Sequence, residues 1–375
     1  MQKKLYFIVN DDWFFLSHRL PIALAAKQAG FDVTIIARDS GKGVVCESYG
    51  FHYIDLPINP TGMNPCQELK TLSWLICLFK KERPDIVHLV GLKCMLWGGL
   101  AARLMRVPQV VNAVSGLGVM FSGSRLSLVA RVMMVIQRFS SKRDGVFYIF
   151  QNSEDRQLFI SQKVAKPENC RFTKGSGIDL DEFAYVPQSA EGKVHVIFTA
   201  RMLKEKGVLD LISAARQLEK EYKDKADFWL CGGLSPNPKA LQETELKSLC
   251  DGQYIQWLGL RNDIKELLGK SHIVAFPSYY REGLPKSLIE ASAVGRPIIT
   301  CNSVGCKDVV VDGENGFLIP PKDVEALVSR LRQLIDNPVL RERMGLKSRE
   351  YAQRDFDIQS VIDVHLSIYT LSNPS

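Results

Sequence analysis

The sequence predicts an α/β chain of two doubly wound parallel-sheet domains facing a central cleft, and three observations carry that expectation. Short apolar runs alternate with helix-length patterns along most of the chain. The runs are rich in Val, Ile and Phe, the composition of strands covered on both faces. A polar stretch, VPQSAEGK (186–193), divides the alternation into two series. At about 100 to 200 residues per domain, 375 residues accommodate two or three domains.

In chain order, KLYFIV (4–9) reads as the first strand. With its lysines it superficially resembles a signal peptide, but Asn10, Asp11 and Asp12 cut the run short of the ~7 to 15 residues required, and no small-residue cleavage site follows. A helical pattern over 20–29 leads to DVTIIA (32–37), one over 68–82 to DIVHLV (85–90), and one over 95–105 to QVVNAV (109–114). GVFYIF (145–150) closes the first series. The second series runs HVIFTA (195–200), DFWLCG (227–232), YIQWLG (254–259), HIVAFP (272–277), PIITC (297–301) and GFLIP (316–320). Helical patterns at 207–222, 238–250, 262–269, 284–294 and 323–335 intervene. The expected domains are 1–185 and 190–355, with ligands outside the carboxyl ends of the strands.

Composition narrows the function classes. With 46% hydrophobic and 24% charged residues, disorder and collagen-like structure are excluded. A net charge of +7, from 48 basic against 41 acidic residues, is too mild to imply nucleic acid by itself. Nine cysteines with no C-x-x-C pair form neither a disulfide framework nor a zinc site, so a reducing compartment is expected. No run approaches the ~18 to 20 apolar residues of a membrane span. The expected location is the cytoplasm.

Three stretches carry candidate chemistry. PSYYREGLPKSLIEASAVGRPII (277–299) holds Glu282 and Glu290 eight positions apart. Gly283 and Pro285 place Glu282 ahead of a helix that starts near Pro285, where backbone N–H groups of Gly283 and Leu284 would form an anion site. The alternative is a surface glutamate and a charge complementing the helix dipole. In TARMLKEKGVLDLI (199–212), Arg201 ends a strand and Lys206 opens the next helix, a placement suited to clamping a diphosphate, or else a solvated basic turn. Residues 86–143 contain no Asp or Glu but carry Lys93, Arg103, Arg106, Arg125, Arg131, Arg138, Lys142 and Arg143. Within them SRLSLVARVMMVIQRFSSKR (124–143) reads as a basic amphipathic helix. Arg131, Arg138 and Lys142 share one face, with Leu126, Val129 and Met133 elsewhere. Such a helix lies on an anionic membrane, or packs with a solvated basic edge.

Several of these residues carry a family likeness. EGLPKSLIE (282–290) resembles the E-x7-E signature of the retaining family-4 glycosyltransferases, which have the GT-B fold of two Rossmann-like domains. RPDIVHL (83–89), KGSGIDLDEF (174–183), ARMLKEKG (200–207), LGLRNDI (258–264) and VDGENGFLIPPKD (311–323) resemble further blocks of that family, in its order. The resemblance implies that Glu290 holds the nucleotide ribose and Glu282 faces the donor sugar. It implies that Arg201 and Lys206 neutralise the diphosphate leaving group, whose developing charge needs fixed positive groups. Gly283 and Leu284 would offer backbone donors, Gly233 would belong to the donor site, and Arg261 would lie beside the base. Glu282, Arg201 and Lys206 are the implied catalytic residues. A metal and other cofactors are not expected. The D-x-D patterns DLD (179–181) and DFD (355–357) read as structural, the first within GSGIDLDEF and the second at the start of the last helix.

The N-terminal half narrows the likeness. NDDWFFLSHRLP replaces the glycine-rich loop that many relatives carry after the first strand. SHRLPI (17–22) and SGLGVMF (115–121) resemble a subgroup acting on undecaprenyl-diphosphate-linked sugars, most like its N-acetylgalactosaminyltransferases. Ser115-Gly116 stands where many relatives have a histidine, so no histidine base carries over. With Ser115 and Gly116, His18 and Lys93 are candidate acceptor contacts; both could equally be ordinary surface residues. The implied reaction moves a hexosyl unit from a UDP-sugar, first UDP-N-acetylgalactosamine, to a lipid-linked saccharide with retention, at the inner face of the cell membrane. The closing segment (356–375) would pack its helix, about 357–371, back on the first domain. The rivals are a related transferase with a soluble or protein acceptor, an exported bilobal sugar-binding protein, and an NAD-dependent oxidoreductase. The missing signal peptide argues against the second, and the missing glycine fingerprint against the third.

Overall fold

Each series of apolar runs folds into one parallel sheet in the computed structural model, which describes residues 2–60, 62, 64–118, 127–235 and 240–371. The first unit comprises the chain up to Ser176 together with the part from Ile358; the second is Gly177–Asp357. The first sheet holds β1 (Lys4–Asp11), β2 (Asp32–Arg38), β3 (His52–Asp55), β4 (Ile86–Val90), β5 (Gln109–Val114), β6 (Val146–Phe150) and β7 (Cys170–Phe172). Their order is β3-β2-β1-β4-β5-β6-β7. The second holds β8 (Val194–Thr199), β9 (Ala226–Cys231), β10 (Ile255–Gly259), β11 (Ile273–Phe276), β12 (Ile298–Cys301) and β13 (Gly316–Ile319), ordered β10-β9-β8-β11-β12-β13. Strand order therefore reverses between β1 and β4, and again between β8 and β11, the places where doubly wound sheets bind ligands.

The period-2 side-chain alternation explains why both faces are covered. Along β1, Tyr6 and Ile8 join one buried cluster, while Leu5, Phe7 and Val9 join another on the opposite face. The second of these clusters also takes in Val361, Ile362, Ile368 and Tyr369 of the closing helix Ile358–Tyr369. That helix is anchored by polar contacts too: the Tyr369 hydroxyl lies 2.5 Å from His88 Nδ1, and Gln109 Nε2 donates to the Ile368 carbonyl at 2.6 Å.

Four expectations need correction. The chain passes into the second unit at 176/177, ahead of the polar stretch 186–193, and leaves it at 357/358. The reason is local pairing: Ile178 N–H donates to the Phe356 carbonyl at 2.8 Å, and Phe183 and Ile178 belong to the second core. The edge strands β3 and β7 have no counterpart in the expected set, since short edge strands need no continuous apolar run. Helices Asp12–His18, Gly43–Ser48, Ser153–Ser161 and Pro338–Asp355 were likewise unexpected. DFD does not begin the last helix: Asp355 ends the helix Pro338–Asp355, Phe356 is buried beyond it, and Asp357 precedes Ile358.

The basic helix spans Leu128–Ser141, capped by Ser127 Oγ accepting from Ala130 N–H at 3.1 Å. Its buried face is Ala130, Met134, Gln137 and Ser140. Its outermost ridge is apolar: Leu128, Val132, Val135 and Phe139, spaced i, i+4, i+7, i+11, with Leu128 77% and Val135 61% exposed. Arg131 and Arg138 flank that ridge, and Lys142 is exposed at its C-cap. Arg143 is spent on the Val107 carbonyl. Arg125 and Leu126 lie outside the described residues, as do residues 119–121 of SGLGVMF and the first two of the expected helix 238–250. Among the described residues no helix is long and apolar enough to cross a membrane.

Candidate active site

In the second unit, the carboxyl ends of four neighbouring strands, β10, β9, β8 and β11, each deliver a candidate donor residue. Arg201 follows β8, with Lys206 in the short 3-10 turn Lys204–Lys206. Gly233 follows β9, Arg261 follows β10, and Glu282, Gly283 and Leu284 follow β11. Glu290 lies on the helix Lys286–Val294, whose N-cap is Pro285. Glu282 is therefore ahead of the helix, so loop geometry rather than helical rotation sets its relation to Glu290.

The loops after β8 and β11 are stapled together. The Glu205 carbonyl accepts from the backbone N–H of Tyr279 at 3.0 Å and of Tyr280 at 3.1 Å. Two glycines permit the close approach. Gly207 (φ +82°) lies against the Pro277 carbonyl, and Gly305 (φ +85°) against the Gly283 carbonyl and the Glu282 side chain; a Cβ at either would collide. Lys206 and Glu282 form a direct ion pair in this joint. The two candidates assigned to phosphate and sugar thus hold one another. Arg201 is exposed, and its guanidinium has no hydrogen-bond or ion-pair partner among the described residues.

Glu290 pairs with Lys286 at 3.5 Å one helical turn away. Burial pushes its carboxyl above the ordinary carboxylate range, against the pull of Lys286. Lys286 went unassigned in the sequence, although its i, i+4 spacing to Glu290 was a readable signal. Arg261 is held in its own loop by a bidentate pair with Asp263, at 2.7 and 2.5 Å. At the end of β9 the backbone demands glycine at Gly232 (φ +155°), where a Cβ would strike the Ala200 carbonyl. At Gly233 a Cβ would only touch Leu260. DLD is structural in its geometry: the Asp179 carboxylate accepts from the N–H of Asp181 and Glu182, both at 2.9 Å. Arg349 fastens that block to the Glu290 helix, donating to the carbonyls of Leu180, Phe183 and Ala293.

In the first unit, His18 follows β1, Lys93 follows β4, and Ser115 and Gly116 (φ +105°) follow β5, again at carboxyl ends of adjacent strands. His18 stacks flat on Phe14, with ring centroids 4.1 Å apart, and its Nδ1 lies 2.6 Å from Ser17 Oγ. Lys93 has another duty. Its ammonium donates to the carbonyls of Asn59 and Gly62 and pairs with Glu68 at 2.5 Å, so its three donors are spent on tertiary structure. Where many relatives have a glycine-rich loop, buried Asp12 accepts from the N–H of Ser40 at 2.8 Å and of Lys42 at 2.9 Å. A carboxylate already occupies those donors. Among the described residues no group of three or more His, Cys, Asp or Glu could hold a metal ion, and all nine cysteines are free thiols.

Comparison with known proteins follows the same division. A family model described as glycosyl transferases group 1 matches residues 181–351, and one described as glycosyl transferase 4-like matches residues 4–153. Over 95% of its length the chain is 28% identical to the N,N'-diacetylbacillosaminyl-diphospho-undecaprenol alpha-1,3-N-acetylgalactosaminyltransferase of Campylobacter jejuni, covering 97% of it. It is 27% identical, over 90% of its length and 89% of the relative, to the UDP-Gal:alpha-D-GlcNAc-diphosphoundecaprenol alpha-1,3-galactosyltransferase of Escherichia coli. Its fold resembles that of Anabaena HepE, solved in complex with UDP, with a TM-score of 0.77 at 16% identity over 99% of this chain and 100% of that one.

Proposed function

This chain belongs to the glycosyl transferases, group 1 in its second unit and 4-like in its first, and we propose from that footing what it transfers and to what. The donor is a UDP-sugar, with UDP-N-acetylgalactosamine first among candidates, and the acceptor is an undecaprenyl-diphosphate-linked saccharide. The product extends a cell-surface polysaccharide or glycan. The observation that carries the donor reading is the Lys206–Glu282 pair joining the carboxyl ends of β8 and β11, with Arg201 following β8 and Glu290 on the helix that follows Glu282. Arg201 is an exposed cation without a partner among the described residues, suited to a diphosphate. Lys206 supplies a second charge as the bond from the anomeric carbon to the diphosphate oxygen breaks. The acceptor hydroxyl forms its new bond on the same face, giving retention, and its proton passes to the departing diphosphate oxygen. Glu290 accepts hydrogen bonds from the ribose and Glu282 from the transferred sugar. The acceptor reading draws on the two enzymes acting on undecaprenyl-diphosphate sugars that the chain resembles over most of its length.

The test is a panel of nucleotide-sugars offered with an undecaprenyl-diphosphate-linked saccharide in the presence of EDTA. Transfer from UDP-N-acetylgalactosamine with an α-linked product is expected, and activity should survive the chelator, because Arg201 and Lys206 supply the charge that a divalent ion supplies elsewhere. Activity lost in EDTA and restored by Mn²⁺ or Mg²⁺ would refute the clamp.

A lipid-linked acceptor requires a membrane partner, and the Leu128–Ser141 helix offers the surface. Its outward ridge of Leu128, Val132, Val135 and Phe139 beside Arg131, Arg138 and Lys142 combines an apolar payload with charge for anionic headgroups. Leu104 is exposed nearby, and the Arg103 guanidinium lies 5.6 Å from the Phe139 ring. Binding to anionic vesicles should weaken with salt, at roughly 1 kcal/mol per basic residue near the surface. Changing Arg131, Arg138 and Lys142 to Glu should release the protein, and so should Val132→Asp with Val135→Asp. Wild type remaining in solution with anionic vesicles at low salt would exclude this surface and favour a soluble acceptor.

A further inference from the structure

We propose that Tyr280 is a positioning residue of the donor site, whose ring works with Phe276 to hold the Lys206 ammonium where the diphosphate must meet it. The inference rests on the reading of Lys206 as a phosphate-binding cation. Lysine carries its charge on a flexible stem of four carbons, so a lysine clamp is only as well placed as its surroundings make it. Lys206 Nζ lies 5.4 Å from the centroid of the Phe276 ring and 5.2 Å from that of Tyr280, both within the range at which an aromatic face attracts a cation. Glu282 supplies a third neighbour.

The Phe276 ring is fixed, and so is the backbone that carries Tyr280. Phe276, at the end of β11, is 1% exposed and stacks on Phe198 of β8 with centroids 5.8 Å apart. Tyr280 sits in the loop that the Glu205 carbonyl staples to the Lys206 turn, and its backbone N–H also donates to Ser278 Oγ at 3.3 Å. Burial raises the Tyr280 phenol above its ordinary range, and the charges of Glu282, Arg201 and Glu205 act on it as well. Aromatic walls suit this task because they hold a cation without neutralising it. A second carboxylate in place of Tyr280 would cancel the charge that the leaving group needs. An aliphatic wall would leave the ammonium free to fold onto Glu282 alone.

Calorimetric titration of UDP and of uridine separates this role from ordinary packing. Tyr280→Leu should weaken UDP binding roughly 5- to 30-fold, the span of a partly desolvated cation–π contact, while leaving uridine affinity unchanged. Tyr280→Phe, which keeps the ring, should restore UDP binding to within about threefold of wild type on the same scale. Tyr280→Met serves if the leucine variant folds poorly. In a Lys206→Met background, Tyr280→Leu should add no further loss, because the cation it positions is gone. An equal loss for uridine and UDP, or a loss that persists undiminished beside Lys206→Met, would show that the ring merely packs and would overturn the proposal. If Lys206→Met alone leaves UDP affinity intact, the reading of Lys206 itself fails, and that result is distinguishable from the other two.

Discussion

Replacing Glu282 with Gln is expected to reduce turnover by about 10²-fold or more while leaving UDP affinity equal to or above that of wild type. On the proposed reading its partner among substrate groups is the transferred sugar, which exists only in the intact donor, so free UDP does not report on it. The ion pair sharpens the sign. Lys206 pairs with Glu282, and a neutral glutamine there releases the full charge of the ammonium to phosphate. Glu290→Gln should do the opposite, weakening UDP by about 1 to 3 kcal/mol as charge-assisted hydrogen bonds to the ribose are lost. Thermal stability supplies a control. Burial raises the Glu290 carboxyl above its ordinary range, so its contribution to stability is present below that range and lost as pH rises through the raised value. Glutamine escapes that loss, and Glu290→Gln should melt no lower than wild type at pH 7. Calorimetry with UDP, transfer rates and thermal melts on both variants check the division. Equal losses of UDP affinity would show that the two glutamates act together through placement of the Lys286–Val294 helix.

Acid should destabilise the fold well above the pH at which carboxylates titrate. His272 is buried beside β8, where its Nδ1 accepts from the His195 backbone N–H at 3.0 Å and its Nε2 lies 3.1 Å from the Ser189 carbonyl. That geometry needs a neutral ring. Burial pushes His272 down to about 4, and the fully buried His365 down to about 3. A depressed folded value means that stability is complete above the unfolded value near 6.5 and declines as pH falls towards the folded one. For His272 the gap from 6.5 to about 4 corresponds to about 3 kcal/mol, a sizeable part of a typical 5–15 kcal/mol. His365 extends the decline below that. Urea midpoints at pH 7, 5.5 and 4.5 should fall in that order. His272→Asn, an amide that can both accept and donate without gaining charge, should flatten the curve over this range. A wild-type midpoint unchanged from pH 7 to 4.5 would exclude neutral buried histidines as a determinant of stability.

The alternation of strands and helices, the two parallel sheets and the run of donor-side candidates are legible along the chain. These depend on local patterns: apolar runs of strand length, Pro285 at a helix start, and the blocks around EGLPKSLIE. Even the candidate residues' positions at the carboxyl ends of β8, β9, β10 and β11 follow from where each run stops. Which groups meet depends on the fold. Lys206 and Glu282 are 76 positions apart, and only the reversal of strand order between β8 and β11 makes them partners. Lys93 reads as an acceptor contact along the sequence, whereas in the fold Asn59, Gly62 and Glu68 occupy its ammonium. The basic helix showed its charges in the sequence but not its outer face, because which side of a helix is outermost depends on the neighbour that covers the other. The edge strands β3 and β7 left no readable run: β3 begins and ends on exposed His52 and Asp55, and β7 has only three residues. Local chemistry is written along the chain. Partnership across it requires the fold, because the distances that decide an ion pair or a hydrogen bond are set by packing between segments far apart in sequence.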